Sequence, residues 1–326
     1  MKKIFRRKNL VFLFPLFALI VTIGAVYSSK NKTKIITPVS ENTSLTYRRV
    51  YTISEDNDYV VPLTISYNPY ESIDEEILHV LSTLKEGSSL TEKDKYTYTL
   101  SDDVKINSID LDNRIVSIDF SEDFASYPVA KERKILESLV WTLSCFDEID
   151  GVILSVDGLV LEKMPVGNTP LPDVLTKDIG INYFLGDNFS LYDTVNVVTY
   201  YQDEDGLLIP VTRRLNSDMS VSSLLNNMYE ELSVDRELKI PSSLSYLCIE
   251  HILENDGVVS IEVSEEALFD ETSIREELYE LVMLTLNELN SLNKEISFTI
   301  NGESMQVSGY EKVATVNSIY YNDLKI

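Results

Sequence analysis

One stretch of this sequence occurs twice, and the recurrence limits what the chain can fold into. Arg114–Phe124 reads RIVSIDFSEDF and Gly257–Ala267 reads GVVSIEVSEEA; five of eleven positions are identical at an offset of 143, and two more exchange Asp for Glu. The same offset aligns Thr142-Leu143 with Thr285-Leu286. An offset of 144 aligns ILSVDG at Ile153–Gly158 with SFTING at Ser297–Gly302, and 148 aligns Val60-Val61-Pro62 with Leu208-Ile209-Pro210. Four matches in one order, with offsets that drift as loop insertions make them drift, mean a duplicated fold. The 326 residues therefore hold one packing solution used twice, in copies large enough for cores of their own.

Each copy predicts the element string β-β-α-β-β-α-β. The opening strands are Arg49–Ile53 and Val60–Tyr67, matched by Val195–Tyr201 and Leu207–Leu215. A first helix follows. Ser72 and Glu75 form its capping box, Ile73, Ile77, Val80, Leu81 and Leu84 its apolar face, and Gly87 its stop. Val221, Leu225, Met228, Tyr229 and Leu232 repeat that face. Hairpins Val104–Leu111/Arg114–Phe120 and Leu247–Leu253/Val258–Val263 are expected around the turns Asp112-Asn113 and Asn255-Asp256-Gly257. The second helices carry Ile135, Leu136, Leu139, Val140 and Leu143, then Leu278, Tyr279, Val282, Met283 and Leu286, the latter behind a Ser273/Glu276 capping box. Val152–Val156 and Ile296–Ile300 close the copies. The order contains the βαββαβ pattern of ferredoxin-like α+β sandwiches, in which both helices cover one face of an antiparallel sheet. Pro165, Pro170 and Pro172 mark a boundary between the copies. The tail Tyr310–Ile326 is expected to add a strand to copy two.

The ends of the chain differ from its body. Residues 1–34 hold eight of the 28 basic residues and no acid, so the other 292 carry a formal −33. Leu10–Tyr27 is uncharged for 18 residues, about 27 Å of helix, enough to cross a hydrocarbon core. Lys2–Lys8 before it holds the N-terminus in the cytoplasm and sends the body across. A cleaved signal peptide and an uncleaved anchor are both open. The length of the stretch and the lack of a small-x-small site at Ile23–Ser29 favour the anchor. Ser28–Thr46 reads as a polar tether.

Composition excludes whole classes of function. A body this acidic lacks the basic surface that nucleic acid requires. Two His, two Cys and 11 Gly leave no multi-His or four-Cys zinc site, no disulfide framework and no phosphate loop. The repeated carboxylates Asp119/Glu122/Asp123 and Glu262/Glu265/Glu266 could supply an acid pair for glycoside hydrolysis or a Ca²⁺ site. The plainer reading has Ser121 and Ser264 capping turns beside exposed acids. His79 and His251 have no ligand partner at metal spacing, and Cys145 and Cys248 stand on non-equivalent elements, which favours free thiols. Trp141 reads as packing. Ser-x-x-Lys at Ser29–Lys32 and Ser291–Lys294 lacks the companion motifs of its enzymes. No catalytic, cofactor-binding or metal-binding residue is assigned, and the chain is not read as an enzyme.

Several segments together resemble the GerMN domain family, with two such domains in tandem as in GerM-type sporulation proteins. They are VYTISEDNDYVVPL (Val50–Leu63), VTYYQDEDGLLIPVTRRL (Val198–Leu215), the helix end at Leu84–Gly87, VSIDFSEDF and VSIEVSEEA, the VDG and ING closes, and LTKDIGIN (Leu175–Asn182). The resemblance spans roughly residues 47–310. It implies ring-building-motif-like sandwiches and a non-enzymatic envelope role in sporulation and germination. It also implies partners among envelope proteins, the mother cell–forespore channel assembly included, and homo-oligomers or rings. The lipobox Cys usual in that family is missing, which fits a single-pass anchor through residues 10–27. The alternative is a protein that binds or hydrolyses peptidoglycan. The division expected is 1–34 membrane anchor, 35–46 linker, 47–160 first domain, 161–193 inter-domain segment, 194–310 second domain and 311–326 tail.

Overall fold

A computed structural model of the chain describes residues 45–56, 59–90, 96–183, 194–216, 238–241, 249–255, 258–287, 295–307 and 321–322. The apolar stretch Leu10–Tyr27, the first helix expected in copy two, Cys248 and most of the tail lie outside those residues. Among the described residues no helix is long and apolar enough to cross a membrane.

The fold is α+β, and the repeat is visible in its order. Copy one runs β1 (Thr46–Ser54), β2 (Val60–Tyr67), α1 (Ile73–Thr83), β3 (Tyr96–Thr97), β4 (Ile106–Asp112), β5 (Ile115–Phe120), α2 (Glu132–Leu143), β6 (Gly151–Val156) and β7 (Leu159–Val160). Copy two runs β8 (Thr194–Gln202), β9 (Leu208–Asn216), β10 (Ile249–Asn255), β11 (Val258–Val263), β12 (Ser273–Ile274), α3 (Glu276–Asn287), β13 (Glu295–Ile300), β14 (Glu303–Ser304) and β15 (Gln306–Val307). The single antiparallel sheet expected in each copy does not form. Its strands divide into an opening sheet, β2-β1-β3 or β8-β9, and a closing sheet, β4-β5-β6-β7 or β10-β11-β13-β14. In the closing sheets the central strands are parallel, Ser117 opposite Ile153 and Ser260 opposite Ser297, because a helix crosses between them.

Local chemistry accounts for most boundaries. Ser72 caps α1, its Oγ accepting from Glu75 N at 3.3 Å, and Asp74, Glu75 and Glu76 suit the positive end of the helix. Gly87 adopts φ +76° after the helix, a conformation cheap only for glycine. The β4–β5 turn falls one residue later than expected, at Asn113 (φ 49°) and Arg114 (φ 66°). Arg114 holds that position through Asp150 Oδ1 (2.7 Å) and Asp147 O (2.6 Å). In copy two the expected cap Ser273 stands instead in β12, and Asp270 organises the turn before it by accepting from Ser273 N at 2.9 Å.

Helix α2 is buried on more than its apolar stripe. Ile135, Leu136, Leu139, Val140 and Leu143 pack with Val116, Ile118 and Phe120 of β5. The opposite, polar face is covered by β1: Thr142 Oγ1 accepts from Tyr51 N at 2.9 Å, and Ser138 donates to Tyr51 O and lies 2.7 Å from Thr99 Oγ1. At the helix start Glu132, 2 % exposed, fills the loop that leaves copy one. It accepts from Tyr127 Oη (2.9 Å), Val166 N (3.2 Å), Gly167 N, Thr169 N (3.1 Å) and Thr169 Oγ1 (2.6 Å). Burial raises its pKa, but the bonds from Thr169, Gly167 and Tyr127 outweigh it and hold the carboxyl below its ordinary value of 4.5.

The two cores exchange side chains. Tyr201, Ile209, Val211 and Leu238 of copy two pack in the core of copy one, and Tyr51, Val60, Trp141 and Cys145 of copy one pack in that of copy two. The copies are thus not beads on a string.

Replacing Glu132 with Ala should cost about 2–4 kcal/mol in denaturant titration, since several buried donors lose one acceptor. The depressed folded pKa means that this stabilisation is complete above the ordinary value of 4.5 and disappears as pH falls through the lower folded value. The stability gap between the wild type and Glu132→Gln should therefore be constant from pH 7 to 5 and close in stronger acid.

Candidate functional site

Strand β2 is an edge strand, and along its outer edge it presents Val60, Pro62 and Thr64; β9 presents the repeat-related Leu208, Pro210 and Thr212. The two edges lie next to each other, yet the prolines have no N–H to donate across the gap. Two asparagines fill it. Asn182 Oδ1 accepts from Val60 N at 2.6 Å, and Nδ2 donates to Val60 O at 2.8 Å and Pro210 O at 2.9 Å. Asn322 repeats the pattern with the copies exchanged: Oδ1 accepts from Leu208 N at 2.8 Å, and Nδ2 donates to Leu208 O and Pro62 O at 2.8 Å. The outer N–H of Thr64 goes to Asn322 O (3.2 Å) and that of Thr212 to Ile181 O (2.8 Å). The outward N–H groups of Val60, Thr64, Leu208 and Thr212 thus each have an acceptor, as buried backbone requires. Both asparagines are buried and left-handed, with φ 47° and 55°, a conformation asparagine tolerates better than most residues.

The segment Leu175–Asn182 is built to deliver the first asparagine. Thr176 caps a short turn, accepting from Asp178 N at 3.2 Å. Gly180 has φ +76°, and a Cβ there would lie 3.2 Å from Thr212 Oγ1 and from Tyr183. Trp141, fully buried, donates from Nε1 to Gly180 O at 3.0 Å, and Lys177 Nζ stands 5.0 Å from its ring centre. Ile181 N donates to Thr212 Oγ1 at 2.8 Å. Glu137, 1 % exposed, accepts from Asn182 N at 3.1 Å and pairs with Arg133 (2.8 Å) and Lys134 (3.6 Å). Only Tyr321 and Asn322 of the tail are described, and they clamp the joint instead of lying in a strand.

Two of the repeated carboxylates, Asp119 and Glu262, are bonded to nearby turns. Asp119 accepts from Asn107 Nδ2 (3.0 Å) and from Gly158 N (2.8 Å). Glu262 accepts from Thr299 Oγ1 and from Gly302 N at 3.0 Å, and these bonds hold its carboxyl below the usual range. Each thus braces the left-handed turn Asp157-Gly158 or Asn301-Gly302. Asp123 and Glu266 accept from Ser121 and Ser264 at 3.2 and 2.8 Å. The serines stand at the starts of the short turns, but neither side chain accepts from a turn N–H, so the expected side-chain caps do not form. Glu122 is exposed, and Glu265 and Glu266 line an open recess of about 530 Å³. A second recess, about 330 Å³, collects Glu55 and Asp56 from the β1–β2 hairpin with Asp203, Glu204 and Asp205 from β8–β9. Burial pushes the Asp203 carboxyl upward, partly opposed by Leu207 N. Among the described residues no set of three His, Cys, Asp or Glu groups is placed to hold a metal.

His79 packs between Tyr67 and Tyr70, with ring centres 4.7 and 5.1 Å away, and burial lowers its pKa. His251 is exposed on β10. Cys145 is a free, buried thiol that donates to Trp141 O.

Comparison with known proteins agrees with this arrangement. The family model "Germane: Sporulation and spore germination" matches residues 49–162. Spore germination protein GerM of Bacillus subtilis (strain 168) is 30 % identical over 285 residues, covering 83 % of this chain and 76 % of that protein. The chain belongs to the GerM family. The solved tandem GerMN domains of the B. subtilis sporulation protein GerM superpose with a TM-score of 0.70 at 27 % identity, over 85 % of this chain and 99 % of that one. In this GerM-family chain, then, the two GerMN copies meet through paired asparagine clamps.

Asn182→Asp keeps the shape of the side chain but cannot donate to Val60 O and Pro210 O. It should cost about 2–4 kcal/mol, as should Asn322→Asp. The double variant should lose less than the sum in denaturant titration, because the first loss opens the edge that the second clamp closes.

Proposed function

We propose that the chain is a membrane-anchored scaffold of the cell envelope that acts in sporulation and germination through its surfaces and without catalysis. Kinship with GerM supports the process. The joint supports the mode of action: clamps and exchanged core residues hold two GerMN copies in one orientation, which suits a body that presents several faces to an assembly. The commitment of Asp119 and Glu262 to turn bracing weighs against peptidoglycan hydrolysis, since a carboxylate saturated by local donors is a poor general acid or base. Leu10–Tyr27 is the anchor in this reading, with the N-terminus in the cytoplasm and the acidic body outside. The partners are envelope proteins, those of the mother cell–forespore channel included, and further copies of the chain in a ring or smaller oligomer.

In-cell cross-linking with mass spectrometry during sporulation tests this reading. Cross-links from both copies to other envelope proteins are expected, together with digestion of the body by protease added to protoplasts. A body that stays monomeric, cross-links to no envelope protein and resists external protease would contradict it.

A further inference from the structure

Arg49 is buried at the joint with no carboxylate counter-ion among the described residues. It lies on β1, 3 % exposed, and enters no ion pair or hydrogen bond among the described residues. The groups that face its charge are the phenols of Tyr51, Tyr321 and Tyr200 and the thiol of Cys145, none of them a carboxylate. The thiol is already bonded to Trp141 O. The guanidinium stands 5.5 Å from the Tyr321 ring centre. That contact recovers only part of the cost of removing a guanidinium from water, and it uses none of its five N–H donors.

The phenols share the predicament. The hydroxyls of Tyr51 and Tyr321 are fully buried and close no hydrogen bond, although the Tyr321 hydroxyl lies toward Tyr200, Arg49 and Tyr51. A guanidinium and two phenols thus gather with unused donors and no carboxylate among the groups that face the charge, in a protein with 53 carboxylates elsewhere. The repeat shows that the fold does not need this charge. The related position in copy two, 148 residues on, is Val197, equally buried and apolar.

We propose that this box binds one small monovalent anion, of the chloride class, held by the Arg49 guanidinium and the hydroxyls of Tyr51 and Tyr321. The ion accepts from all three and neutralises the buried charge. Tyr321 precedes the clamp residue Asn322, so the ion ties the C-terminal clamp to β1 of copy one.

Bromide is the probe, because it replaces chloride and scatters anomalously. Crystals of the full chain grown in bromide should show an anomalous peak between Arg49, Tyr51 and Tyr321. At constant ionic strength the Tm should be about 2–4 °C higher in bromide than in gluconate. Arg49→Met should abolish that difference. Should Arg49→Met fail to fold, the Tyr51→Phe/Tyr321→Phe double variant, which keeps the charge, should reduce the halide response. An empty box in the bromide map, equal Tm values in the two salts, or a full halide response in either variant, which would mean surface halide only, would overturn the proposal.

Discussion

Two prolines on adjoining strand edges set the terms of this structure: Pro210 stands across Asn182 from Val60, and Pro62 across Asn322 from Leu208. Pro62 and Pro210 occupy the outer edges of β2 and β9, where an ordinary pair of strands would join into one continuous sheet. With no N–H at either position the ladder cannot close, and an unsealed buried edge would strand several peptide groups. Asn182 and Asn322 resolve this by acting as portable peptide units: each carries one acceptor and one double donor, and each reaches both copies. The arrangement is a pseudo-twofold made from one chain, and every polar participant has its counterpart in the other copy: Val60 with Leu208, Pro62 with Pro210, Thr64 with Thr212.

The other features of the joint follow from the need to hold those asparagines in place. Helix α2 serves as the post. Its Glu137 fixes the Asn182 backbone, its Trp141 fixes Gly180, and its Ser138 and Thr142 bind the β1 peptide at Tyr51. Glu132, at the foot of the same helix, secures the loop on which the segment departs. Because the clamps draw the copies together, each core takes in aromatic and aliphatic residues from the other. Neither copy could then move without exposing them.

Much of this was legible in the sequence. The duplication, the α+β order, the α1 cap and the apolar stripe of α2 all rest on local patterns, and all are present among the described residues, which leave out the first helix expected in copy two. The division into two sheets was not legible, because strand alternation says which face is buried and not which strand lies alongside. Periodicity also leaves open what covers the polar side of α2. Ser138 and Thr142 look solvent-facing until a strand is known to lie over them. Asp119 and Glu262 stood out as repeated acids, but their role depended on the left-handed turns 38 to 40 residues further on, which spacing alone does not bring near. Asn182 was visible as part of a family-like motif. Its counterpart Asn322, in a tail with no aligned segment, could have been found only by asking what satisfies Pro62 O.

The proposed scaffold role requires faces kept in register, and therefore two copies that form one cooperative body. Differential scanning calorimetry of the full chain tests it most directly. One transition is predicted, with calorimetric and van't Hoff enthalpies in agreement, resolving into two when Asn182 and Asn322 are both replaced. Two separate transitions in the unaltered chain would contradict it.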